Sequence, residues 1–496
     1  MLRRDKEPGG PRRSLHLHIL LRGTTGSKKV LQFKSSYFPY ISAPKDHNSQ
    51  PIHFDEEYNT SDTLWPKCTP KKRIALSKNH KVAGDTVKNI LHRFGYVHNL
   101  TFLLPRPFMP SRAYPRNFSS EVFMPVPNTT PADMWVYHAV YDGDWLRARL
   151  PPDTVRLTII REPLAHFKSV WNYYNIQRRF KIPGNGTDSI FAFLENPLKY
   201  DQRCGHGPHA PLCLTLNSMA VDLGFPIDSN KKVLPGGDHE EKERITKDFV
   251  EKISQEFPLV MLTEQFDLSL ILLRRNMCWS LKDILYYKVN SRQYDYKEVD
   301  IIGSHKQAHR EWSYVDYALY DFFNRTFWER VSKEGDSFWD EVKFFRYVNE
   351  KMREHCDDIV WGNACSRHGS SLVVSDTRWG PGFTIDREFC LLAKRGLVCH
   401  YSIQAERNGR MLSMAPHSGT DTLQAIRRDA VYREHCVYCR TQWCHPLDYL
   451  THFYRDGYIS RTEYMLARRK NFPRSLRKCR LPPKVLSPSD RYLHSV

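Results

Sequence analysis

Two short segments carry cationic and small residues in an order suited to gripping an anion. The first, Ser77-Lys78-Asn79-His80-Lys81-Val82-Ala83-Gly84-Asp85-Thr86, follows the apolar run Ile74 to Leu76 and precedes Val87, Ile90, Leu91 and Phe94 at helical spacing. Small residues at Ala83 and Gly84 let backbone N–H groups approach an anion, and the helix start adds the positive end of its dipole. Lys81 supplies a point charge and Thr86 a hydroxyl for phosphate or sulfate oxygens. The G-x-x-x-x-G-K-[ST] loop is absent, which argues against nucleotide-kinase or ATPase chemistry. In the second segment Arg161-Glu162-Pro163 ends the apolar run Val155 to Ile160, and Ser169 follows eight positions after the arginine. An arginine at the carboxyl end of a strand, with a serine two turns into the next helix, suits a second phosphate at the same sheet edge. Each segment also has a plainer reading: a basic turn at a helix start, and an arginine and serine serving local contacts.

The elements that must position these residues repeat one pattern. A strand at Ile74 to Leu76 feeds a turn and a helix; a strand at Val155 to Ile160 feeds a helix with Phe167, Val170, Trp171 and Tyr174 on one face; a strand at Leu259 to Leu262 feeds a helix carrying Phe266, Leu270, Leu273 and Met277. Alternating strands and helices predict an α/β fold with a central parallel sheet flanked by helices. Proline-rich stretches at 105–131 and 205–211 read as surface loops. Residues 1–65 form a basic and polar tail or stem, 66–360 the folded domain, and 361–496 a cysteine-containing extension with a basic tail.

Of 496 residues, 41% are hydrophobic and 13% aromatic, which excludes a mostly disordered chain. The formal charge of +19 invites a nucleic-acid partner, but its distribution does not. The first 30 residues hold 8 basic against 2 acidic side chains and the last 46 hold 11 against 3, so residues 31–450 carry only +5. No nucleic acid is expected.

Two anion grips on successive sheet units suit 3′-phosphoadenosine 5′-phosphosulfate (PAPS, 3′-phosphoadenylyl sulfate), and the segments resemble the cofactor motifs of Golgi carbohydrate sulfotransferases. The stretches from His80 to Pro105, Ile160 to Tyr174, Val260 to Arg292 and Leu319 to Cys356 together resemble the galactose-3-O-sulfotransferase family, of which galactosylceramide sulfotransferase is a member. The resemblance implies a P-loop-like sulfotransferase fold. It assigns Lys81, Ala83, Gly84 and Thr86 to the 5′-phosphosulfate loop, and Arg161 and Ser169 to the 3′-phosphate site. The segment Trp135 to Tyr141 resembles the family stretch that presents a histidine, making His138 the general base and Lys81, with His80, the stabiliser of the departing phosphate. Trp171, Tyr173 and Tyr174 are available to stack on adenine or sugar, with a buried helix face the alternative for Trp171. No metal is implied.

The implied activity is transfer of a sulfo group to the 3-hydroxyl of galactose in a glycolipid or glycoprotein glycan. A sulfotransferase for another sugar position, or an inactive glycan-binding relative, are the alternatives. The family loop reads H-K-T-A-[GS]-S-T, and here Val82 and Asp85 replace a threonine and a serine. Asp85 would repel the donor unless it turns to cap the helix.

Twelve cysteines and six N-x-[ST] sequons, at Asn59, Asn99, Asn117, Asn128, Asn185 and Asn324, point to the secretory lumen. The shared short spacing of Cys204 with Cys213, Cys356 with Cys365 and Cys390 with Cys399 predicts three local disulfides, with reduced buried thiols the alternative. Cys436, Cys439 and Cys444, beside His435 and His445, have a zinc site as an alternative, although a second C-x-x-C is missing. Family members are Golgi membrane proteins, yet Leu15 to Leu21 is too short for an anchor. A Golgi lumenal domain, or a secreted protein, is expected.

Overall fold

The computed structural model describes residues 18–22, 28–32, 68–105, 131–201, 214–288, 299–361 and 371–394. Strands β1 (His18–Arg22) and β2 (Lys28–Gln32) pair antiparallel within a unit spanning Met1–Asn48. The remaining elements belong to the second unit, Ser49–Val496.

Its centre is a parallel sheet of β3 (Ile74–Ser77), β4 (Met134–Trp135), β5 (Val155–Ile160) and β6 (Leu259–Leu262), in the order β4-β3-β5-β6. Ile74 lies opposite both Met134 and Val155, and Leu157 opposite Leu259. β3 and β6 read as largely apolar runs because helices cover both faces, and every residue of both is buried. Helix α1 (Gly84–Val97) follows β3, α2 (Pro163–Tyr174) follows β5, and α3 (His239–Glu256) and α4 (Phe266–Met277) flank β6 in sequence. The three expected strand–helix units are therefore present. Beyond them come α5 (Gly303–Trp312), α6 (Tyr314–Ser332) and α7 (Asp336–Trp361), then β7 (Leu372–Val374) paired antiparallel with β8 (Phe383–Ile385), and α8 (Arg387–Lys394).

The chain leaves β3 to form β4 on one side and then crosses to β5 on the other. Such a switch opens a crevice at the carboxyl ends of β3 and β5, where open α/β sheets bind ligands. Both expected anion grips lie at those two strand ends. The turn after β5 follows from its residues: Pro163 occupies the first helical position, and Glu162 accepts from the N–H groups of Leu164 and Ala165 at 3.1 and 2.6 Å. Arg161 is left between the end of β5 and the Glu162 cap. Trp171 is buried with Phe167, Phe193 and Trp312 in a cluster apart from the main core, so it packs rather than stacks on a ligand.

Two disulfides occur among the described residues, Cys68–Cys278 and Cys356–Cys390. Cys356 and Cys390 thus join α7 to α8 instead of closing local loops with Cys365 and Cys399. The packing of two helices brings them together, which spacing along the chain does not report. Cys278 ends α4 in a left-handed conformation with φ 56°, and its bond to Cys68 is reinforced by Lys71 N–H to Met277 O and Trp279 Nε1–H to Lys71 O, both 2.9 Å. That staple fixes the entry to β3. The partners Cys204, Cys213, Cys365 and Cys399, and the Cys436–Cys444 cluster, lie outside the described residues. Buried Arg274 pairs with buried Glu341, tying α4 to α7, partly buried Arg275 pairs with Glu341 and with Glu334 just before α7, and Arg274 also donates to the carbonyl of Trp379.

Candidate active site

The loop after β3 is held from below by side-chain bonds to its neighbours. Asn79 Nδ2 donates to Ile159 O at 3.0 Å, Thr158 Oγ1 to Ser77 O at 2.9 Å, and Thr263 Oγ1 is shared between Val82 O and Ile160 O at 2.9 Å each. So anchored, the backbone takes left-handed conformations at two non-glycine residues, Lys81 with φ 59° and Ala83 with φ 62°. Each costs roughly 1 kcal/mol for a side-chain-bearing residue, a strain typical of ligand-gripping loops. Ala83 sits at the N-cap position of α1 without a side-chain cap. Among the described residues, the backbone N–H groups of Ala83 and Gly84 have no protein acceptor. A Cβ on Gly84 would stand 3.1 Å from Lys78 Cγ, so glycine there lets the Lys78 stem pass. Thr86 is buried one turn into α1, and its N–H bonds Ala83 O at 2.9 Å.

Arg161 joins this loop from β5. Its Nη1 donates to Lys81 O at 3.2 Å, and its Nε lies 4.0 Å from Glu264 Oε1, is buried and has no hydrogen-bond partner. Burial raises the Glu264 carboxyl above the ordinary range. Lys81 extends its ammonium over the Tyr173 ring, 3.7 Å from the centroid. Ser169 lies in the second turn of α2, half-buried, with no hydrogen bond to Arg161. The structure thus brings Lys81, Ala83, Gly84, Thr86 and Arg161 to one crevice, and Ser169 to the adjoining helix.

His138 approaches from the segment after β4. Its Nδ1–H donates to Lys78 O at 2.8 Å; a carbonyl only accepts, so Nε2 carries the lone pair. That nitrogen is 2.5 Å from Lys78 Nζ, which also lies 2.7 Å from Asp85 Oδ1. Burial, with Lys78 and His80 adding positive charge, pushes His138 well below the ordinary histidine range. For Asp85, burial works upward, but the Lys78 ammonium, helped by His138 and Lys88, outweighs it and holds the carboxyl well below its usual range. The expected choice between repelling a donor and capping α1 therefore has a third answer: Asp85 neutralises Lys78.

His80 stacks on His138, with ring centroids 4.1 Å apart and an interplanar angle of 10°. Buried Asp222 accepts the His80 backbone N–H at 2.6 Å and lies 2.9 Å from Nδ1. His166 is buried, pushed down to about 3 by burial, and donates Nε2–H to His80 O at 2.9 Å. Lys78, Asp222, His166 and Glu264 are site residues that sequence reasoning missed. Lys78 lay within the quoted loop, where only the side-chain direction separates it from Lys81; Asp222 and Glu264 carried no local signal. Among the described residues, no group of three or more His, Cys, Asp or Glu side chains is placed to hold a metal ion.

The orphaned Arg161 nitrogen, the unpaired loop N–H groups and the glycine cradle together fit a ligand with two anionic ends. A family profile described as galactose-3-O-sulfotransferase matches residues 15–367. Galactose-3-O-sulfotransferase 3 of Mus musculus is 37% identical over 354 residues, 68% of this chain and 77% of that protein. Its Homo sapiens counterpart is 36% identical over 322 residues, covering 62% and 70%. Galactosylceramide sulfotransferase of Bos taurus is 30% identical over 292 residues, covering 59% and 65%.

Proposed function

The chain belongs to the galactose-3-O-sulfotransferase family, and from that premise we propose that it moves a sulfo group from PAPS to the 3-hydroxyl of a galactose residue in a glycolipid or glycoprotein glycan. The observation that carries the proposal is the pairing, across the β3/β5 crevice, of a loop suited to an anion with a histidine whose proton-accepting nitrogen is Nε2, bonded here to Lys78 Nζ. When bound, PAPS supplies an activated sulfo group whose leaving partner is a phosphate.

The residues divide the remaining work. The N–H groups of Ala83 and Gly84, with Lys81 and the Thr86 hydroxyl, would hold the 5′ end and balance the charge left on the departing oxygen. Arg161, and Ser169 from α2, would hold the 3′-phosphate; a guanidinium fork suits that group. His138 Nε2 would take the proton of the attacking galactose hydroxyl, while Nδ1–H on Lys78 O keeps the ring oriented. Asp85 meets the donor as the paired counter-ion of Lys78 and not as a lone charge.

The two disulfides suit an oxidising lumen, and we infer a Golgi setting from the relatives. Among the described residues no helix is long and apolar enough to cross a membrane. A thermal-shift titration with PAPS tests the proposal: a ligand of the native state must raise the melting temperature, and no rise up to millimolar donor would overturn it.

A further inference from the structure

We propose that Lys78 is a positioning residue that occupies the lone pair of His138 until an anionic group in the loop draws its ammonium away, and that Asp85 is the counter-ion resisting that move. This rests on the proposed function, since it needs a donor anion and a base in one crevice.

The geometry forces a choice on His138. Nδ1 is committed to Lys78 O at 2.8 Å, leaving Nε2 as the single position able to take a proton from a hydroxyl. Nε2 already accepts from Lys78 Nζ at 2.5 Å, so an acceptor hydroxyl and Lys78 compete for one lone pair. The ammonium is nearly closed off, with the side chain 4% exposed, and its stem is guided past Gly84. Asp85, with 30% of its side chain exposed, is the more solvent-accessible partner of the pair. Since Asp85 is in the first turn of α1, whose N-terminus faces the crevice, an anion there meets the Lys78 charge and the Asp85 charge together.

The charged groups around His138 are Lys78 and His80 from the loop, and Asp85 and Lys88 from α1. Of these, Lys78, His80 and Lys88 favour neutral His138 and Asp85 opposes them. Shifting Lys78 onto an anion removes the nearest positive charge from the ring and brings a negative one closer. The base is then both uncovered and strengthened at the moment the donor is in place, so hydroxyl deprotonation without donor is suppressed.

The test uses the full chain with ¹⁵N-labelled histidine and adenosine 3′,5′-bisphosphate as the anion. His138 should titrate below the ordinary range in the free protein, move upward in Lys78→Met, and move upward in the wild type when the bisphosphate is added. Asp85→Asn, which keeps the lysine, should tighten bisphosphate binding about tenfold by removing a like charge. If the bisphosphate does not bind, the proposed function falls and this inference with it. If it binds while His138 titration is unmoved both by the ligand and by Lys78→Met, the inference alone falls. A His138 shift in Lys78→Met without any shift on ligand binding also overturns it, since Lys78 would then be a fixed neighbour and not a displaced one.

Discussion

Replacing Arg161 by methionine should separate the two anionic ends of the donor. The guanidinium contributes modestly to the fold: its ion pair with Glu264 is long at 4.0 Å with Glu264 30% exposed, and its one other bond is Nη1 to Lys81 O at 3.2 Å, so their loss costs about 1–2 kcal/mol. Methionine keeps most of the stem volume. What is lost to the ligand is the guanidinium fork, whose Nε donor is buried and unpartnered in the protein. A charge-assisted bond from that nitrogen to a phosphate oxygen is worth roughly 1.5–3 kcal/mol, about 10- to 150-fold in Kd. Isothermal titration with adenosine 3′,5′-bisphosphate should show a loss of that size in Arg161→Met. Titration with adenosine 5′-phosphate, which lacks the 3′-phosphate, should show almost none, because the lost bond has no partner in that ligand. An equal loss for both ligands would refute the assignment by placing Arg161 at the 5′ end, and no loss for either would remove it from the site.

Three further outcomes are expected. His138→Ala should lower kcat on a galactoside by roughly 10²- to 10⁴-fold while leaving bisphosphate affinity within a few-fold; full turnover would refute the base assignment. Cys68→Ser opens a disulfide that spans 210 residues and should cost about 2–5 kcal/mol in a denaturant titration, with an unchanged midpoint counting against the staple at the entry to β3. Burial raises Asp316 to about 7, so the folded chain keeps a proton that the unfolded chain releases near pH ~4. Its stabilising contribution is complete below that value and is lost as pH rises to about 7, so Asp316→Asn should flatten the wild-type fall in melting temperature over this window. Parallel curves for the two proteins would contradict it.

What could be read from the chain followed burial. β3, β5 and β6 were legible as apolar runs because parallel strands are covered on both faces, and Glu162-Pro163 marked the helix start. β4 is two residues long and carries no period of its own. The site divides the same way. Lys81, Ala83, Gly84, Thr86 and Arg161 are local to strand ends and were found there, whereas His138 was singled out by family resemblance, since one histidine near a strand has no spacing to mark it. Lys78 and Lys81 are three residues apart in one loop; the left-handed turn at Lys81 sends them to different partners, Tyr173 for one and Asp85 with His138 for the other. Asp222 reaches His80 from 142 residues away, and Cys390 reaches Cys356 through the packing of α8 on α7, contacts that exist after folding alone.

The proposed activity is sulfo transfer to the galactose 3-hydroxyl. It is tested most directly by incubating the protein with ³⁵S-labelled PAPS and a panel of defined β-galactosides, followed by linkage analysis of the labelled product. Label confined to the 3-position of galactose, lost in His138→Ala, is the predicted result. Label at another sugar position, or no label from protein that binds adenosine 3′,5′-bisphosphate, would contradict it.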